Sequence, residues 1–105
     1  MRILEFEING QNISKSKNCD FSGIVPGTSG YLKASFSFSA EWTGMVKVAE
    51  FRKLTSDEPV SVPIINNECM VPADVTGGDR WYVKVIGKRG NVLIPTGNCR
   101  VRQEG

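Results

Sequence analysis

Hydrophobic and polar residues alternate along most of this chain. Leu32, Ala34, Phe36 and Phe38 fall on one parity, and Lys33, Ser35, Ser37 and Ser39 on the other. A period of two gives a strand one buried face and one wet face. From Phe36 to Phe51 the pattern predicts a strand, a tight turn and a second strand, with Trp42 and Gly44 where the chain reverses. Trp42 reads as a core plug closing one end of a sandwich. In the second arm, Met45 to Lys53, the alternation slips: Met45, Lys47, Ala49 and Phe51 share one parity, Val46, Val48 and Glu50 the other. A bulge near Val48-Ala49 would let Val46 and Phe51 face the same core.

The remaining segments read in the same way. Leu4, Phe6 and Ile8 alternate with Glu5 and Glu7, Asn9-Gly10 is a hairpin signal, and Gln11 to Lys15 returns as a short edge strand. Gly23 to Gly30 holds three glycines and a proline, which predicts a bend and no long strand. Val60, Val62 and Ile64 form a strand that Pro63 confines to an edge. Asn66-Asn67 is a two-residue turn, and Glu68 to Val71 returns with Cys69 and Val71 inward. Pro72 to Val75 suits one helical turn, the only helix candidate in the chain. Trp81, Val83 and Val85 lead to a hairpin loop at Gly87 to Asn91; Val92 to Pro95 and Cys99 to Arg102 complete the sheet. Short strands at this spacing predict an all-β, antiparallel sandwich of about seven to nine strands. A length of 105 residues makes it a single domain, 1–105.

Charge changes the picture only locally. The net charge of +2 is too small to imply nucleic acid. The C-terminal part is less even: Arg80, Lys84, Lys88, Arg89, Arg100 and Arg102 stand against one acid, Glu104. These six are the candidate partner-binding residues, a patch for an acidic protein. The plainer reading is a solvated strand face whose charges blunt an edge. Direct nucleic-acid binding would use Lys88 and Arg89 at a loop tip beside Tyr82 or Trp81, and it is disfavoured because Trp81 reads as core.

Catalytic chemistry finds little to work with. The chain has no histidine, which removes the commonest general base and zinc ligand. Cys19, Cys69 and Cys99 form no CxxC pair and read as small buried hydrophobes. Asp57-Glu58, the only adjacent acid pair, reads as a solvated loop. Gly23 to Gly30 lacks the Gly-Lys-Ser/Thr ending of a phosphate loop. The chain is therefore read as non-enzymatic, with no cofactor, metal or membrane span. Met1 to Glu7 lacks the apolar run of a secretory signal, so the host cytoplasm, or incorporation into a virion, is the expected location.

The order of motifs adds a resemblance. Phe36, Phe38, Trp42 and Gly44 are followed by Ala49 and Phe51, then Asn66, Cys69, Val71 and Pro72, then Trp81, Val83, Val85 and Gly87, then Ile94-Pro95-Thr96. This resembles the immunoglobulin-like β-sandwich module of tail-fibre, baseplate and minor structural proteins of phages and prophages of Gram-positive bacteria. It covers about Leu32 to Val101. The resemblance implies a phage or prophage origin, a binding or scaffolding role, and no catalytic residue. In that family the module is usually one piece of a longer protein; here residues 1–31 are expected to add β-structure in front of it. The expected partner is a protein. It is a phage structural protein if the chain is a virion or tail-associated accessory protein. It is a host effector nuclease if the chain is an anti-CRISPR-type inhibitor of host defence, which the mildly basic charge would direct to an acidic protein surface.

Overall fold

Strands form where the sequence alternates, and they divide into two sheets around one interior. The structure is a computed structural model and describes residues 1–54 and 58–104; Asp57 of the acid pair lies outside them. Among the described residues nine strands run in order: β1 (Arg2–Asn9), β2 (Asn12–Lys15), β3 (Leu32–Phe38), β4 (Val46–Lys53), β5 (Val60–Pro63), β6 (Glu68–Met70), β7 (Arg80–Arg89), β8 (Val92–Pro95) and β9 (Cys99–Arg102). The first sheet has the order β2-β1-β3-β6. The second has the order β5-β4-β7-β8, with β9 also paired to β7. The four-stranded sheet, which carries the first strands, faces the five-stranded one, and together they make an all-β, mostly antiparallel two-sheet sandwich. One pairing departs from the antiparallel expectation: β1 and β3 run parallel, Arg2 beside Leu32 through Ile8 beside Phe38. The segment 16–31 carries the chain back far enough to start β3 beside the start of β1.

The interior follows the alternation. Leu4, Phe6 and Ile8 of β1 and Leu32, Ala34 and Phe36 of β3 meet Ala49, Phe51, Trp81, Val83, Val85 and Val101 of the second sheet, all buried. A row of aromatic rings crosses this interior, Phe21 to Phe6 to Phe36 to Phe38 to Trp42, with centroids 5.4, 5.5, 6.0 and 5.4 Å apart. Such spacings suit edge and offset contacts. Two lysines lie over rings of the row, Lys15 Nζ 5.6 Å from Phe21 at its start and Lys47 Nζ 4.9 Å from Phe38.

Trp42 closes one end of the sandwich, as its position in the sequence suggested. It is fully buried, and its Nε1 donates to the Gly10 carbonyl at 2.9 Å. Trp81 closes the other end. Its Nε1 donates to Gln103 Oε1 at 3.0 Å, and Gln103 Nε2 donates to the carbonyls of Thr76 and Gly78 at 2.9 and 2.7 Å. Each buried polar atom in this set has a partner, as burial requires.

Several sequence expectations are corrected. The arms around Trp42 are not a hairpin: β3 belongs to the first sheet and β4 to the second. A 3-10 turn, Ala40–Trp42, carries the chain across, a second helical turn beside the expected one at Ala73–Val75. β4 holds no bulge. Its register with β7 runs unbroken from Val46↔Lys88 to Lys53↔Trp81, so Ala49 and Phe51 face inward and Val46 faces out. β6 does not return against β5. The Asn66-Asn67 turn, with φ of 54° and 64°, passes the chain to the first sheet, where β6 pairs with β3. Gly87 to Arg89 belong to β7, and the hairpin loop shrinks to Gly90-Asn91.

Candidate docking face

The six predicted basic residues do not form one patch. Along β7 the outward side chains are Arg80, Tyr82, Lys84, Ile86 and Lys88, since Trp81, Val83, Val85 and Gly87 point into the core. Register supplies their neighbours. Arg80 faces Arg102, and Tyr82 lies between Arg100 on β9 and Arg52 on β4. Cross-strand partners have Cβ atoms about 5 Å apart, so Arg52 and Arg100 flank Tyr82, with the Arg80–Arg102 pair one step further along the same face. Arg100 and Arg102 form no ion pair among the described residues.

The other three candidates stand apart. Lys84 pairs with Glu50 at 3.8 Å. Lys88 lies at the far end of β7, about 20 Å from Tyr82 at about 3.4 Å per residue. Its cross-strand partners there are Val46 and Leu93. Arg89 leaves the face altogether. It is on the inward parity at the end of β7, and its guanidinium donates to the Thr43 carbonyl at 2.9 Å, tying β7 to the crossing turn.

Sequence reasoning missed half of what this face contains. Arg52 joins the arginine cluster from a strand distant in sequence, so a linear count of charge could not find it. Around Lys88 the same face is apolar: Val46 is 73% and Leu93 61% exposed, with Val48, Ile86, Pro63 and Pro95 adjoining. A depression of about 430 Å³ beside β5 is lined by Val46, Val48, Pro63 and Ile65. The parity of Val46 and Val48, opposite to Ala49 and Phe51, was the available signal. The face is thus divided along its strands into an apolar end and an arginine end, with the Glu50–Lys84 pair between.

Electrostatics at the arginine end are local. Asp79 is held below the usual carboxylate range, first by a hydrogen bond from the Arg80 guanidinium, 3.3 Å away. The same contact raises Arg80 further. Nucleophilic chemistry has no foothold in the buried thiols. Burial pushes Cys69 from 9.0 up to about 12 and moves Cys99 in the same direction, which keeps both protonated. Among the described residues no group of three or more His, Cys, Asp or Glu is placed to hold a metal ion. None of their helices is long and apolar enough to cross a membrane. Trp81 is fully buried and offers no ring to a nucleic-acid base. The arrangement defines a two-sheet β-sandwich with one amphipathic outer face. No protein-family model matches the chain, and no curated protein matches it.

Proposed function

We propose that this protein is a non-catalytic, phage- or prophage-encoded binding module that captures another protein on the outer face of its second sheet. The observation that carries the reading is the division of that face. Exposed Val46 and Leu93 lie on a sheet whose opposite side is already packed, so they serve no core. Contiguous exposed apolar surface rimmed by charge is characteristic of protein interaction sites. The arginines at the other end set orientation and raise the encounter rate with an acidic partner.

The first reading of the partner is a phage structural protein, with this chain a virion or tail-associated accessory protein. The sandwich and the order of motifs from Phe36 to Thr96 support it. The second reading is a small inhibitor of a host defence effector, such as an anti-CRISPR-type protein bound to a nuclease. The arginine cluster supports that one, because an acidic protein surface would complement it. Either role places the protein in the host cytoplasm or the assembled particle.

Affinity capture from a phage-infected or prophage-bearing host tests the role. The baits are the wild type, Arg100→Glu/Arg102→Glu and Leu93→Asp. Both variants change exposed residues, so each is expected to keep the fold while losing the captured protein. Capsid or tail proteins in the eluate favour the first reading, and an effector nuclease the second. Equal capture by all three baits would remove this face from the function.

A further inference from the structure

We infer that the occupant of this face is a second copy of the chain, whose opposite, acidic sheet face it fits, so that sandwiches stack head to tail. The inference rests on the binding role proposed for the face and names its partner.

The outer face of the first sheet is the electrostatic counterpart of the second. On β1, Ile3, Glu5 and Glu7 point outward while Leu4, Phe6 and Ile8 fill the core. Glu5 and Glu7 form no ion pair among the described residues, whereas Glu68 is paired with Lys33 at 3.4 Å. The neighbours across from Glu5 and Glu7 are Ser35 and Ser37, too small to cover the carboxylates. A depression of about 250 Å³ opens there, lined by Glu5, Glu7, Ser16, Ser35 and Ser37. It is a concave seat for a flat, cationic group.

The spacing of charges matches as well as their sign. Glu5 and Glu7 are two residues apart on one strand, as are Arg100 and Arg102 on β9. Both pairs therefore repeat at about 7 Å. Laying β9 of one copy along β1 of the next brings two guanidiniums onto two carboxylates, a geometry that arginine favours. Each face also has apolar side chains beyond its charges, Ile3 and Met70 on the first sheet and Val46 and Leu93 on the second. Arginine end on arginine end, or glutamates on glutamates, sets like charges together, which costs affinity. The unlike contact gives both charged pairs partners of opposite sign. It is heterologous, so every added copy leaves one face of each kind open and the stack can grow.

The test uses the full chain alone in sedimentation velocity. At about 20 mM salt the mean mass is expected to rise between about 10 μM and about 1 mM protein. At about 500 mM salt, where the Debye length is below about 5 Å, association is expected to weaken by about tenfold or more. Glu5→Arg/Glu7→Arg and Arg100→Glu/Arg102→Glu are each expected to stay monomeric, with unchanged circular dichroism and tryptophan emission. Mixing them is expected to restore association, because the native arginine face of one meets the native glutamate face of the other. A wild type that remains monomeric throughout overturns the stack, as does a variant that assembles by itself or a mixture that does not. If the wild type is monomeric yet only the wild type captures a host or phage protein, stacking is wrong and the binding role stands.

Discussion

Gly87 has no side chain because Trp42 and Met45 occupy the space. A Cβ there would lie 2.6 Å from Trp42 Cζ3 and 2.8 Å from Met45 Sδ. The sequence suggested a loop glycine; the structure makes it the floor under the tryptophan that closes one end. Gly87→Ala is expected to destabilise by about 1–3 kcal/mol through overpacking. A lower urea midpoint with an unchanged slope would show it, and an unchanged midpoint would mean that the Trp42 ring moves freely. Cys69 gives a second residue-level expectation. Its thiol keeps its proton in the fold up to about pH 12, while in the unfolded chain it ionises near its ordinary value. The contribution is present in full below that value and is lost as pH rises through the interval up to about 12. Urea midpoints at neutral pH and at about pH 10 should fall more steeply for the wild type than for Cys69→Ala; parallel slopes would contradict the assignment. These properties depend on depth, and neither glycine nor cysteine announces depth in a sequence.

At the scale of elements, β8 and β9 are one returning strand interrupted by a bulge. Ile86 pairs with Pro95 and Val83 with Cys99, so one extra residue is accommodated between them. Thr96 makes the interruption possible. Its backbone N–H donates to the Val85 carbonyl at 2.9 Å, and its Oγ1 accepts from the Val85 N–H at 3.0 Å. Thr96→Val keeps the shape and removes that acceptor, leaving a buried N–H without a partner. A loss of about 1–3 kcal/mol is expected, with Thr96→Ser retaining most of the stability. Faster hydrogen exchange at the Val85 amide would locate the effect; equal stability of the valine and serine variants would refute it. Strand positions and the Asn9-Gly10 and Asn66-Asn67 turns were legible, because alternation and turn chemistry are local. Strand partners were not. The chain around Trp42 carries every local sign of a hairpin, yet burying that ring between the layers sends β3 and β4 to different sheets.

At the scale of the molecule, the two outer faces differ in kind. One is a serine-lined surface on which Glu5 and Glu7 form no ion pair among the described residues, and the other is apolar at one end and arginine-rich at the other. The charge count near the C-terminus fell on residues of the second sheet. It could not separate Arg89, which turns to Thr43, from Arg100 and Arg102, nor add Arg52. By itself the sequence determined that strands form, which side of each is greasy, and where most turns fall, because a side-chain period of two is written residue by residue. Tertiary structure alone decided the parallel pairing of β1 and β3, the crossing at Trp42, and which charges and exposed valines share a surface. Those outcomes depend on contacts between residues distant in the chain, selected by how the two tryptophans and the aromatic row fill one interior.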